Sequence, residues 1–202
     1  MAKQSFKPGN MLYPLPAVMV SVADKTGRFN IITVAWVGTV CSDPPMVSIS
    51  VRPERYSHHM IEETGEFVVN LTTKKLAFAT DYCGVKSGRE IDKFKEMHLT
   101  PLPADVVAAP LIGESPVNIE CKVVEVKRLG SHDMYIASVE AVHAEEKYID
   151  ENNRFDFMKA NPIVYSHGAY FTCGEQIGTF GYSVKKQSRG VRKNQKNQKK
   201  AK

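Results

Sequence analysis

Apolar and polar positions alternate along much of the first 150 residues, with the period of two that marks strands burying one face. Residues 15–22, LPAVMVSV, are followed by the turn-rich ADKTGRFN and then by NIITVAWVGTV over 30–40, which together predict a hairpin. In MVSISV (46–51), Val47, Ile49 and Val51 share one face while Ser48 and Ser50 share the other. A short helix is predicted from Ser57, whose hydroxyl suits an N-cap, to a stop at Gly65. EFVVNL (66–71) reads as a strand, and KKLAFATDYCG (74–84) as a helix ended by its glycine.

From Val85 to Pro116 the pattern is irregular and holds four prolines, so loops and short turns are expected there. VNIECKVVEVKRL (117–129) alternates with Val117, Ile119, Cys121 and Val123 inward, then slips phase by one at Val124 and Val126, the mark of a β-bulge. Gly130 to Asp133 turns the chain into a long partner strand over 134–148, and residues 162–178 give one more short strand with a glycine-spaced end. Six or seven strands, many joined by hairpins, favour a mainly β fold, an antiparallel barrel rather than a doubly wound sheet. The apolar, aromatic stretch from Tyr165 to Phe171 is open to two readings, a dimer contact or packing on the barrel.

Composition changes this picture only at the C-terminus. The chain has 202 residues with 27 Lys and Arg against 22 Asp and Glu. Nine of those cations and none of the acids fall in residues 185–202, so residues 1–184 are net acidic, 18 basic against 22 acidic residues. A basic stretch with so few apolar residues predicts an extended or disordered tail beside a single domain over 1–184. Such a tail can meet nucleic acid through counterion release, or simply solubilise the protein; without interleaved aromatics it offers no stacking platform, and nucleic-acid binding ranks last. Every apolar run is far shorter than the roughly 20 residues needed to cross a bilayer, so no membrane partner is expected. The start lacks the apolar stretch of a secretory signal, and four cysteines without a C-x-x-C pair fit reduced thiols, giving a cytoplasmic expectation.

The chemistry narrows by exclusion. There is no G-x-G-x-x-G after the first strand, no P-loop, no G-x-S-x-G elbow and no H-E-x-x-H; six scattered histidines define no metal site. What remains is polar and basic residues at strand ends. RPERYSHHM (52–60) brings Arg52, Arg55, Tyr56, Ser57 and His58 to a helix start, where guanidinium groups and free N–H groups suit a phosphate. CGVKSGREIDKF (83–94) adds Ser87, Arg89 and Lys93 around a glycine turn. With Trp36 in the hairpin strand, these suggest a ligand that is part flat ring and part phosphate, as flavin mononucleotide is. Against this, Trp36 could be plain core, His132 a turn residue satisfying its own loop, and Lys93 a solvated charge beside Asp92.

The same segments carry a resemblance. N-x-x-T-V-A-W at 30–36, SDPPMVSISVRPERYSHHMI at 42–61, TGEFVVNL at 64–71, SGREIDKF at 87–94, ESPVNIEC at 114–121, GSHD at 130–133 and GEQIGTFGYSVKK at 174–186 occur in one order. In this the chain resembles the flavin reductase-like family, and within it the flavoredoxin branch. The resemblance implies a Greek-key split β-barrel with a few peripheral helices, acting as a homodimer with non-covalent FMN. Carried over, Trp36, Ser57, Lys93, His132 and Tyr165 would surround the isoalloxazine ring. The backbone of Ala35–Trp36 and of Ser50, Val51 and Arg52 would meet its edge and the ribityl chain; Arg52, Arg55, Ser57, Ser87 and Arg89 would hold the phosphate. Lys93 and His132 are then candidates for tuning the flavin. The implied activity is electron transfer from NAD(P)H through FMN to a flavin or small acceptor; the alternative is an electron carrier fed by a protein donor.

Overall fold

The computed structural model describes residues 1–185; all but the first residue of the predicted basic tail lies outside the described residues. In chain order the strands are β1 Leu15–Pro16, β2 Val18–Ala23, β3 Phe29–Val34, β4 Val37–Ser42, β5 Pro45–Val51, β6 Glu66–Leu71, β7 Pro101–Leu102, β8 Leu111–Ile112, β9 Val117–Arg128, β10 Asp133–Ala144, β11 Ile163–Ser166 and β12 Ala169–Thr172. Three helices, α1 Tyr56–Thr64, α2 Ala77–Val85 and α3 Lys93–Glu96, lie between them. None of the described helices is long and apolar enough to cross a membrane.

Seven strands form one antiparallel sheet in the order β3-β2-β6-β9-β10-β5-β4. Its two edges, β3 and β4, are consecutive in the chain and joined only by Ala35 and Trp36. The single strand expected over 30–40 is therefore two, on opposite edges of the sheet. The run of apolar residues continues from one into the other, but β3 buries Ile31, Ile32 and Val34 while β4 is largely exposed, with Val37 partly buried against the core. Where they part, the Ser50 N–H donates to the Trp36 carbonyl at 2.9 Å, tying β5 to the crossing. The fold is the mainly β split barrel expected.

Val18, Val20, Val22, Ile32, Val34, Ile49, Val51, Phe67, Val69, Cys121, Tyr135 and Ala137 fill the barrel, with Met60 and Ile61 of α1 packed into the same cluster. Residue β2 positions are buried on both faces, because α2, α3 and their neighbours cover its outer side: Met19 and Ile31 pack with Leu76, Ala79, Cys83, Phe94, Leu99 and Ile112. The predicted slip in β9 is a bulge. Val123 pairs with Ala137 and Glu125 with Ile136, leaving Val124 without a partner.

Three local expectations are corrected. Arg55, not Ser57, is the N-cap of α1, and no side chain caps it; Ser57 lies inside the first turn, fully buried. Gly65 ends α1 as expected, at φ 68°. Gly84 does not end α2, which continues to Val85; a Cβ there would sit 3.2 Å from the Thr33 Cβ, so the glycine serves close helix-to-strand packing. Residues 162–178 hold two strands rather than one: β11 and β12 turn at His167 and Gly168, both with positive φ, and β11 pairs with β1. Within that stretch the Tyr165 and Tyr170 rings pack edge to face, centroids 5.7 Å apart, while Phe171 stays 54% exposed.

Candidate functional site

The N-terminus of α1 opens into a cavity of about 520 Å³ lined by Arg52, Arg55, Ser57, Lys86, Ser87, Arg89 and Lys93 among others. Its walls are fastened by arginines. Arg55 Nη1 donates to the Gly84 carbonyl at 3.2 Å, Arg28 Nη2 to Gly88 at 2.8 Å, and Arg89 Nη1 to Glu54 at 3.1 Å. The Arg28 and Arg89 guanidinium groups lie 5.1 and 5.5 Å from the Tyr56 ring centroid, joining the 84–90 loop to the helix start by cation–π contact. Beneath the loop, the buried Asn30 amide donates to Ser57 Oγ at 2.8 Å. A Cβ on Gly88 would fall 2.1 Å from Asn30 Oδ1, so only glycine allows this approach. The lone acid in the lining is Glu54, 3.5 Å from Arg52. Five cations and the positive end of the α1 dipole make this an anion site.

A second cavity, of about 700 Å³, adjoins the first and shares Ile32, Arg52 and Arg55 with it. It is lined by Ala35, Trp36, Ser50, Val51, His132, Tyr165 and Tyr170, with Asn10 and Thr33. Trp36 is 40% exposed, so it is not core. His132 stacks beside it, ring centroids 5.9 Å apart and planes at 12°. Ser131 Oγ lies 2.9 Å from His132 Nδ1, so the loop partly satisfies its own histidine while leaving the ring against Trp36. Burial, then the nearby Arg52, hold the His132 pKa below its ordinary value. Tyr170 donates to Asp81 Oδ1 at 3.2 Å across the mouth.

Lys93 is the unusual group. It is 4% exposed, and its Nζ donates to the Ile31 and Cys83 carbonyls at 2.6 and 2.7 Å. The solvated reading of Lys93 is thus corrected: Asp92, which suggested it, instead caps α3, accepting from the Phe94 and Lys95 N–H groups. Burial pushes the Lys93 pKa down to about 8. The Cys83 thiol, also in the lining, is pushed up to about 11 by burial and stays protonated.

The twelve residues that the resemblance carried over line these two cavities, but not in the grouping it gave; Tyr56 also lines the cationic one, whereas His58 lines neither and instead pairs its Nε2 with Asp133 Oδ2 at 2.7 Å. Trp36, His132 and Tyr165 share the aromatic cavity with Ala35, Ser50 and Val51. Ser57 and Lys93 instead line the cationic cavity with Ser87 and Arg89, and Arg52 and Arg55 reach both. Sequence reasoning missed Asn30, Lys86 and Asn10. Asn30 falls in the quoted 30–36 motif; Asn10 sits in a stretch without any periodicity. It also missed Glu120, fully buried, which accepts the N–H groups of Asp105, Val106 and Val107 and pairs with His143 Nε2 at 2.6 Å. Asp105, Glu120 and His143 bring ligand-type atoms within 4.8 Å of one another, but Glu120 is committed to holding the 105–107 backbone.

Residues 11–174 match the family described as flavin reductase like domain. Among solved structures, flavoredoxin of Desulfovibrio vulgaris (Miyazaki F) is similar at a TM-score of 0.85 and 30% identity, covering 91% of this chain and all of that one. Flavoredoxin from Methanosarcina acetivorans is similar at 0.80 and 28%, with the same coverage of this chain and again all of the other. An uncharacterized protein of Pyrococcus abyssi is 30% identical over 151 residues, 73% of this chain and 86% of its own length. A protein of Aeropyrum pernix is 31% identical over 156 residues, and the chain spans only 58% of its length. With its split barrel, and with most of its length matched, the chain belongs to the flavin reductase-like family.

Proposed function

We propose that the protein is an FMN-dependent oxidoreductase that passes electrons from NAD(P)H to a flavin or small acceptor. The observation that carries this reading is the pair of adjoining cavities, one cationic and one aromatic, sharing Arg52 and Arg55. A phosphate and a flat ring joined by a short chain have that division. The five cations of the first cavity and the uncapped α1 N-terminus fit the phosphate end, and the Trp36, His132 and Tyr165 lining fits the ring end.

FMN, when bound, supplies the redox chemistry. The chain's own residues then bind, orient and exclude water. Arg52, Arg55 and Arg89, with the Ser57 and Ser87 hydroxyls, hold the phosphate by charge-assisted hydrogen bonds. The Ala35–Trp36 and Ser50–Arg52 backbone orients the ring edge, and Trp36 and Tyr165 limit access to it. Lys93 holds a proton at Nζ in a poorly solvated place, where a fixed charge stabilises developing anionic charge most strongly. No dinucleotide-binding unit was found in the sequence, so a nicotinamide donor meets the ring cavity directly.

A second reading, an electron carrier fed by a protein donor, is supported by the likeness to flavoredoxin along 91% of the chain. We infer further that the protein acts as a homodimer, since Phe171, Ile177 and Phe180 are 54%, 90% and 106% exposed; sedimentation checks this. The test of the flavin reading is the visible spectrum of the purified protein after adding FMN and removing the excess: retained flavin bands, near one per chain, support it, and a colourless protein refutes it. Stopped-flow bleaching with NADH and NADPH then separates the readings. Fast bleaching by nicotinamide supports the reductase, while slow bleaching with fast reduction by a protein donor supports the carrier.

A further inference from the structure

Asn10 lines the aromatic cavity although it lies outside every strand and helix. Residues 1–12 have no regular secondary structure and are all exposed, Met11 at 65% and Leu12 at 81%. Burial of its own side chains therefore does not hold this segment against the barrel. What holds it is the residue that follows. The Tyr13 ring lies 4.3 Å from His167 and 6.2 Å from Tyr165, centroid to centroid. Directly after it, β1 pairs Leu15 with Tyr165 and Pro16 with Val164. Tyr165 is itself a wall of the cavity. Only Met11 and Leu12 separate Asn10 from the Tyr13 anchor, a reach of about 10 Å at most, so the amide stays at the cavity as long as the anchor holds. Among the described residues no hydrogen bond engages that amide, which leaves one donor group and one acceptor free to meet a ligand.

We propose that residues 2–12 form a strap that walls the aromatic cavity on its solvent side and retains a planar ring there, with the Asn10 amide facing the bound ligand. The ring's identity as flavin rests on the function proposed above; the strap itself does not. Because the chain has a single tryptophan, Trp36, and it lines this cavity, its fluorescence reports the wall without any cofactor.

The experiment compares the full chain, a variant lacking residues 2–11, and Tyr13→Ala, which keeps the strap but removes its anchor. Acrylamide quenching of Trp36 is measured on apoprotein, and FMN release is followed by stopped flow after a chase. Loss of the strap is expected to raise the quenching constant about twofold and the FMN release rate about fivefold, with Tyr13→Ala between, as for other lids that gate a site. Quenching unchanged in a truncated protein with wild-type thermal unfolding overturns the strap. Should the truncated protein not fold, Tyr13→Ala decides alone, and unchanged quenching there overturns it too. A full chain that binds no FMN, with quenching still raised by truncation, refutes the flavin reading and leaves the strap standing.

Discussion

Lys93→Met perturbs both halves of the site in ways that separate them. The wild-type amine is 4% exposed with a pKa of about 8 against an ordinary 10.5. That displacement is worth about 3 kcal/mol against the charged form. The unfolded chain keeps its proton up to pH 10.5 while the folded apoprotein releases it near 8. Stability of the apoprotein therefore rises by about 3 kcal/mol between those values and lacks that contribution below pH 8. At pH 7 the methionine variant escapes the cost of a buried charge but orphans the Ile31 and Cys83 carbonyls, at about 1–3 kcal/mol each. The two effects nearly offset, so urea midpoints of wild type and variant are close at pH 7 and diverge at pH 9.5. A dianionic ligand favours the charged amine, so wild-type FMN affinity falls as pH rises past 8, by up to about tenfold per unit for one linked proton. The variant binds more weakly at pH 7 and shows no such slope. Titration of FMN against Trp36 fluorescence at pH 7, 8, 9 and 9.5 reads this. A flat wild-type profile, or an equal slope in Lys93→Met, refutes the coupling of this lysine to the ligand. The reduction potential then locates the charge: a lowered potential in the variant puts it against the ring, and an unchanged one with lost affinity puts it against the phosphate.

Two further substitutions probe the cavity wall and a third the buried carboxylate under the 105–107 backbone. Ser57→Ala removes the acceptor for the buried Asn30 amide, costing about 1–3 kcal/mol in urea unfolding and weakening FMN about tenfold. Gly88→Ala drives a Cβ to 2.1 Å from Asn30 Oδ1; FMN affinity is expected to fall at least about tenfold while Tm moves little, since the 84–90 loop and not the barrel must shift. In Glu120→Gln, the loss of a buried carboxylate that accepts three backbone N–H groups and His143 costs about 2–4 kcal/mol. Burial pushes the Glu120 pKa up, but those hydrogen bonds prevail and hold it below 4.5. Its contribution is thus present above pH 4.5 and lost as pH falls further, so the variant's Tm flattens on the acid side.

How much was legible before the structure depended on whether the cause was local. The period of two located the long strands, and the slip at Val124 located the bulge, because each is a property of neighbouring residues. The break at Ala35–Trp36 was invisible because barrel closure, a contact between opposite ends of the sheet, separates two strands that share one apolar run. Asn118 and Glu120 fall on the polar face of β9, yet are buried: the loop over 103–112 covers that face, its Asp105, Val106 and Val107 N–H groups donating to Glu120 and its Ile112 carbonyl accepting from the Asn118 amide. At the site, clusters of polar residues after β5 and α2 were readable as strand- and helix-end chemistry. The division into two cavities was not, since it depends on which side of Arg52 and Arg55 each wall falls.

Lys93 shows why this matters for function. Next to Asp92 in sequence it looks neutralised, but that carboxylate is spent on the α3 N-cap and on Lys95, 3.7 Å away. Among the described residues the buried ammonium has no carboxylate, only two carbonyl oxygens. Partial charges of that size compensate a buried cation incompletely, which is why its pKa falls. A chain that buries a lysine at a cost of about 3 kcal/mol beside a cavity with four other cations has an electrostatic imbalance that its own acids do not correct. An anion entering that cavity does correct it, raising the lysine's pKa and recovering the cost as binding free energy. Apoprotein and FMN complex should therefore differ in proton uptake: binding at pH 8.5 takes up a proton and binding at pH 6.5 takes up almost none at this site. Calorimetry in two buffers of different ionisation enthalpy measures it, and equal uptake at both pH values would mean that the imbalance at Lys93 is not what the ligand relieves.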